Sequence, residues 1–130
     1  MKKYGFSIKL KGSFEDAIER VTEALKIQGF GILTEIDVKA TLKAKLDVDR
    51  LPYVILGACN PPLAHQAIEA DPDIGLLLPC NVVVRQEEDG TITVVFMDPV
   101  AVLGLVEKPG VEKLATEVRR ILEQVQDSLR

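Results

Sequence analysis

The first thirty residues change from the hydrophobic period of a strand to that of a helix. In KYGFSIKL, residues 3–10, apolar side chains alternate with polar ones, which is typical of a half-buried strand. Between Ser13 and Gly29 the apolar residues instead recur every three or four positions. Ser13 followed by Asp16 resembles a capping box at the start of a helix. Gly29 suits the left-handed backbone conformation that commonly ends one. The pattern predicts a strand followed by a helix.

The middle of the chain predicts two more strands and two short helices. FGILTEI, residues 30–36, has the pattern of a strand, and DVKATLKAKL, residues 37–46, that of a helix with one apolar face. PYVILGAC, residues 52–59, is apolar on both faces, as in an interior strand. Asn60 stands before two prolines and predicts the N-cap of a helix that runs through Asp71.

The last fifty residues predict a hairpin and a long terminal helix. NVVVRQ and TITVVFM flank EEDG, in which Asp89-Gly90 is a strong hairpin signal. Asp98-Pro99 predicts the cap of a short helical turn. Residues 111–129 carry an apolar stripe with steps of three and four. This stripe suits packing across a sheet or against a partner helix in a dimer.

The resulting order of elements is β-α-β-α-β-α-β-β-α. Helices interspersed with strands, followed by an antiparallel hairpin, favour an α+β fold. We expect a mixed, largely antiparallel sheet with helices packed mainly on one face. Because 130 residues is the ordinary length of one domain, we predict a single domain over residues 1–130.

Charge and composition narrow the classes of partner. The chain has a net charge of −4 and only 5% aromatic residues, which argues against nucleic acid, because phosphate contacts supply most of that affinity. Its apolar runs are far shorter than the roughly 18 residues that a membrane span needs. The opening MKKYGFSIKL has no signal-peptide pattern. We therefore expect a cytoplasmic protein with no membrane partner and with reduced cysteines.

Both cysteines and the only histidine lie in GACNPPLAHQAIEADPDIGLLLPCN, residues 57–81. Cys59 ends a predicted strand before a helix, whose positive dipole end favours a thiolate. If the strands at Cys59 and Cys80 are neighbours, both thiols lie at one edge of the sheet. The two residues are either small buried side chains, as free cysteines most often are, or a reactive pair. No metal site is predicted, because these two residues and His65 supply three ligands where structural zinc takes four.

Four polar side chains of the same region are candidates for ligand contacts. Asn60 and Asp98 are also explained as helix caps, and His65 as a residue that faces solvent. Asn81 has no such local explanation. Because polar groups at strand ends around an apolar pocket are typical of small-molecule sites, we predict ligand contacts from all four. No cofactor is predicted.

Three short motifs are similar to those of a known prokaryotic family, DUF302: CNP at 59–61, PCN at 79–81 and DP at 98–99. The resemblance extends over nearly the whole chain. It implies a TATA-binding-protein-like β-α-β(4)-α fold, with the helices at 37–46 and 61–71 as additions, and assembly as a homodimer. It implies no established activity, cofactor or catalytic residue. The position after the second cysteine varies in that family, so the resemblance assigns no role to Asn81.

Two hypotheses of function follow. The leading one is a cytoplasmic homodimer that binds a small ligand or a partner protein and has no catalytic activity of its own, because the candidates do not form a complete catalytic set. The alternative is a thiol-dependent redox or detoxification protein in which Cys59 reacts and Cys80 resolves. This alternative requires the two Cα atoms to lie within roughly 7 Å of each other.

Overall fold

One five-stranded antiparallel sheet organises the chain in the computed structural model, which describes residues 3–130. Its strands are β1 (Gly5–Leu10), β2 (Gly31–Asp37), β3 (Tyr53–Cys59), β4 (Cys80–Gln86) and β5 (Ile92–Met97). Their spatial order is β1-β5-β4-β3-β2, and each neighbouring pair is antiparallel. The predicted α+β class is confirmed, and so is the interior position of β3 between β2 and β4.

Five α-helices connect and follow the strands: α1 (Phe14–Ile27), α2 (Val38–Leu46), α3 (Pro61–Ala70), α4 (Pro99–Leu103) and α5 (Val111–Ser128). The order is β-α-β(4)-α with α2 and α3 inserted, as the family resemblance implies, and with the short helix α4 added before α5. Within residues 3–130, none of these helices is long and apolar enough to cross a membrane.

The helix starts follow from local side-chain chemistry. The Ser13 hydroxyl accepts a hydrogen bond from the backbone N–H of Asp16 at 3.0 Å, and an Asp37 carboxylate oxygen accepts one from Ala40 at 2.9 Å. Each bond satisfies an N–H that has no partner inside its helix. Because a cap involves residues only two or three positions apart, the sequence alone places these helix starts correctly.

A 3₁₀ helix, Pro72–Leu77, was not predicted. Pro72 ends α3, because a proline disfavours helical geometry in the residue before it. The Asp71 carboxylate then accepts a hydrogen bond from the backbone N–H of Asp73 at 3.0 Å and starts the tighter helix. This segment leads the chain from α3 back to the start of β4.

The core lies between one face of the sheet and the helices α1 and α5. Alternate strand residues such as Leu56, Val82 and Phe96 are fully buried on this face. The apolar stripe of α5, including Leu122 and Val125, is buried in the same core. The stripe therefore packs across the chain's own sheet, and the alternative of a partner helix on it is not adopted.

Candidate functional site

The strand register brings the two cysteines to neighbouring strand ends. Ala58 of β3 lies directly opposite Cys80 of β4, so Cys59 is one residue beyond that pair. Both cysteines are free thiols. The prediction that they share one edge of the sheet is confirmed, because β3 and β4 are hydrogen-bonded neighbours.

A cavity of about 280 Å³ opens at this edge, and both cysteines line it. We call it the cysteine cavity. Within residues 3–130 its lining includes no charged side chain, and Asn60 contributes the single carboxamide. Leu33 and Ile68 line the cavity and are also 66% and 46% exposed, so they form its rim. The deeper walls come from apolar residues of several elements: Phe30, Leu63, Ala67, Leu103, Leu114 and Val118.

Asn60 lines the cysteine cavity and also caps the start of α3. Its carboxamide oxygen accepts a hydrogen bond from the backbone N–H of Leu63 at 3.4 Å, which is the predicted cap. Its amide nitrogen would lie 3.2 Å from a Cβ atom added at Gly29. Gly29 also has a φ of +88°, a conformation that disfavours other residues. Glycine at this position therefore ends α1 and leaves room for the Asn60 side chain.

The two thiols differ in their surroundings. Cys80 is buried, and burial, together with the charge of the neighbouring Cys59, raises its pKa to about 11. A thiol with so high a pKa is a poor nucleophile at neutral pH, because the thiolate is the reactive form. Cys59 is half-buried and stands directly before the N-cap of α3. Cys59 is therefore the more accessible thiol of the pair.

The remaining three candidates lie outside the lining of the cysteine cavity. His65 is exposed on α3, as expected for a histidine that faces solvent. Asn81 is exposed on β4 opposite Gly57. Asp98 caps α4 by accepting a hydrogen bond from Val100 at 2.9 Å, and it also pairs with Arg119. The structure does not gather these residues into one site with the cysteines, and their ligand-binding roles stay predictions.

Gly57 shapes the same edge of the sheet but was not singled out from the sequence. A Cβ atom added there would lie 2.2 Å from the Thr34 hydroxyl oxygen and 2.9 Å from Cγ of Pro79. The absence of a side chain lets these two residues pack over β3. A glycine within an apolar strand pattern is a known sign of such close approach, and it could have directed attention to this position.

Within the described part of the chain, no three His, Cys, Asp or Glu side chains are grouped so that they could hold a metal ion. The polar groups that line the cysteine cavity are two thiols and one carboxamide that is engaged in a cap. This set can pack against and orient a ligand.

Comparisons with known proteins agree with this architecture. A family model described as domain of unknown function DUF302 matches residues 6–129. The crystal structure of an uncharacterized conserved DUF302 protein from Bacillus stearothermophilus is similar to this chain, with a TM-score of 0.90 and 30% sequence identity over 99% of this chain and 100% of that one. No curated protein matches the chain. The motifs at 59–61, 79–81 and 98–99 thus lie in a chain that belongs to the DUF302 family.

Proposed function

We propose that this protein binds a small, uncharged, apolar molecule in the cysteine cavity, acts as a homodimer and has no catalytic activity of its own. The observation that carries the proposal is the cavity itself. It combines a volume of about 280 Å³ with a lining that is apolar apart from Asn60 and the two thiols.

The size of the cavity suits a compact ligand. Ligand sites commonly have volumes of roughly 300–1,000 Å³, and an engineered apolar cavity of about 150 Å³ binds benzene. At about 280 Å³, the cysteine cavity has room for one or two rings or a short branched chain. Such a ligand would contact Phe30 and Leu63 in the deeper walls and leave through the rim at Leu33 and Ile68.

The lining also selects against charge. Moving an ionised group from water into an apolar site costs several kcal/mol or more unless a partner compensates it. The lining of the cavity in residues 3–130 offers no such partner. The Asn60 amide nitrogen is a donor that a ligand carbonyl or hydroxyl could use, since the oxygen of this side chain already serves the cap of α3.

A cytoplasmic location is part of the same proposal. Its support is that both cysteines are free thiols, the state expected in a reducing compartment. The family resemblance supports the homodimer.

The proposal is tested by thermal unfolding in the presence of benzene or indole, with benzoate as the charged comparison. At a ligand concentration of about 100 times Kd, binding to the folded state adds about 2.7 kcal/mol to the free energy of unfolding. We expect stabilisation by benzene or indole and none by benzoate.

A cavity-filling variant makes this test specific. Ala67 lines the cavity and is 2% exposed, so Ala67→Leu places its new carbons in the binding volume. Ala101→Leu is the matched control, because Ala101 is exposed on α4 and lies outside the lining. We expect Ala67→Leu to abolish the ligand-induced stabilisation and Ala101→Leu to retain it. Equal stabilisation of both variants, or no stabilisation of the unaltered protein by any apolar probe, would contradict the proposal.

A further inference from the structure

Cys59 and Asn60 are consecutive residues, and both line the cysteine cavity. Cys59 ends β3 and Asn60 is the N-cap of α3, so the chain passes from a strand to a helix between them. A free thiol and a carboxamide therefore lie side by side in the wall of an apolar cavity of about 280 Å³. Among the groups that line this cavity in residues 3–130, the two thiols are the nucleophiles that can form a bond to carbon.

Cys59 is the thiol that an incoming molecule reaches. It is half-buried, whereas Cys80 is 6% exposed. Burial, together with the charge of Cys59, raises the pKa of the Cys80 thiol to about 11, so this thiol stays protonated at neutral pH. Because the thiolate is the nucleophile, a molecule in the cavity reacts at Cys59 in preference to Cys80.

The start of α3 offers few backbone donors to an anion. Pro61 and Pro62 occupy the first helical positions and have no N–H. The N–H of Leu63 donates to the Asn60 carboxamide oxygen at 3.4 Å, and that of Ala64 donates to the Asn60 carbonyl at 2.9 Å. The attraction of a helix start for phosphates and carboxylates relies on free N–H groups, so it is weakened here. The amide nitrogen of Asn60 is the donor that this helix start presents.

We propose that Cys59 is the attachment site of an uncharged α,β-unsaturated carbonyl compound, with Asn60 as the donor to its carbonyl oxygen. The hydrocarbon part of such a compound suits the apolar walls, its β-carbon is an electrophile that thiolates attack, and its carbonyl oxygen accepts a hydrogen bond. This inference rests on the proposed function, because the compound must first bind in the cysteine cavity. It names the chemical class of the ligand.

The reaction is an addition that needs no oxidant, reductant or cofactor. The Cys59 thiol loses its proton to water, and its sulfur forms a bond to the β-carbon. The π bond between the α- and β-carbons breaks, and its electron pair moves towards the carbonyl oxygen to give an enolate. A donor at the oxygen where charge develops lowers the barrier, and the Asn60 amide supplies it. A proton from water then adds to the α-carbon and restores the carbonyl group. No product leaves, so capture is stoichiometric and involves no turnover.

The experiment compares N-phenylmaleimide with its para-carboxyl derivative, because the two reagents share one reactive ring and differ in charge. Peptide mapping measures the rate of addition at Cys59 in the native and in the denatured protein. We expect the native protein to favour the uncharged reagent at least about tenfold more strongly than the denatured chain does, because the apolar lining excludes a carboxylate. Equal preference in the two states, or an adduct at Cys80 in place of Cys59, would overturn the inference.

A cavity-filling variant locates the reaction. Ala67→Leu fills the cavity, and Ala101→Leu is the control outside its lining. We expect Ala67→Leu to slow the addition of N-phenylmaleimide to Cys59 at least about tenfold, because the reagent can no longer be held beside the thiol, and Ala101→Leu to leave the rate unchanged. Equal rates in the two variants would place the reaction outside the cavity and overturn the inference. The comparison of the two reagents uses the unaltered protein, so it decides the question even if Ala67→Leu does not fold.

Asn60→Ser tests the donor separately from the cap. Serine also caps helices, so this variant keeps the start of α3 and removes the amide nitrogen. Iodoacetamide is the reference reagent, because it alkylates a thiol by displacing iodide and builds no charge on its carbonyl oxygen. We expect the ratio of the N-phenylmaleimide rate to the iodoacetamide rate at Cys59 to fall by about tenfold. An unchanged ratio would overturn the assignment of Asn60 as the donor.

Failure of this inference is distinguishable from failure of the proposed function. Stabilisation by benzene or indole without charge-selective addition at Cys59 would overturn the covalent step and leave reversible binding supported. Selective addition that Ala67→Leu slows, in a protein that neither benzene nor indole stabilises, would support the attachment site and contradict the proposed reversible ligand.

Discussion

Arg119 of α5 forms an ion pair with Asp98, the residue that caps α4. The same guanidinium group lies over the ring of Phe6 in β1, with its central carbon 5.0 Å from the ring centroid. One side chain therefore connects the terminal helix, the short helix before it and an edge strand. The Asp98 side chain is only 13% exposed, so water screens this pair less than it screens the other ion pairs within residues 3–130.

Replacing Arg119 with Gln should lower the free energy of unfolding by about 1–2 kcal/mol, which includes the loss of the ion pair and of the cation–π contact. Arg130→Gln is the matched control, because its pair with Asp127 is 63% and 70% exposed and should contribute close to nothing. Urea denaturation of both variants measures the difference. Equal midpoints for the two variants would show that Arg119 contributes no more than a surface charge.

The two thiols should react at very different rates. At about pH 8, only about one Cys80 thiol in a thousand is ionised if its pKa is about 11. Cys59 is half-buried and accessible from the cavity rim. We expect iodoacetamide to modify Cys59 of the native protein at least about tenfold faster than Cys80, as measured by peptide mapping. In denaturant the two rates should become equal. Faster modification of Cys80 in the native protein would show that burial does not suppress the reactivity of this thiol.

Burial of Cys80 also makes stability depend on pH. Because its pKa rises from 9.0 to about 11 on folding, the folded state favours the protonated thiol. This stabilisation is fully present below pH 9, where the thiol of the unfolded chain is still protonated, and is lost as the pH rises through 11. Between about pH 8 and 11, the free energy of unfolding of the unaltered protein should fall by on the order of 2 kcal/mol more than that of Cys80→Ala. If the free energies of unfolding of the two proteins changed in parallel with pH, the predicted contribution of Cys80 would be contradicted.

Gly57 should tolerate no side chain. In Gly57→Ala the new Cβ atom would lie 2.2 Å from the Thr34 hydroxyl oxygen. We therefore expect the free energy of unfolding to fall by about 1–3 kcal/mol. Gly31→Ala on the adjacent strand is the matched control, because a Cβ atom there meets nothing within 4 Å. Adding Thr34→Ala to Gly57→Ala should restore part of the stability. Since Cγ of Pro79 stays at 2.9 Å, the recovery should be incomplete. Additive losses in the double variant would argue against the contact with Thr34.

Features that depend on near neighbours in the chain could be predicted from residue type and spacing. The caps at Ser13, Asp37 and Asn60 are made by bonds across three residues, so residue type and spacing were sufficient to place them. The apolar run of β3 indicated an interior strand, and β3 does lie between β2 and β4. The family motifs likewise depend on short spacings.

Long-range packing selects which of several compatible surfaces each apolar stripe contacts. The stripe of α5 suited a sheet or a partner helix equally well from its spacing, and the structure buries it against the chain's own sheet. The cysteine cavity could not be predicted for the same reason. Its walls include Phe30, Cys59 and Leu114, which are far apart in the chain. The pairing of Gly31 with Cys59 brings the first two together, and Leu114 reaches the cavity from α5. Strand order and register depend on long-range contacts, which no local pattern of residues encodes.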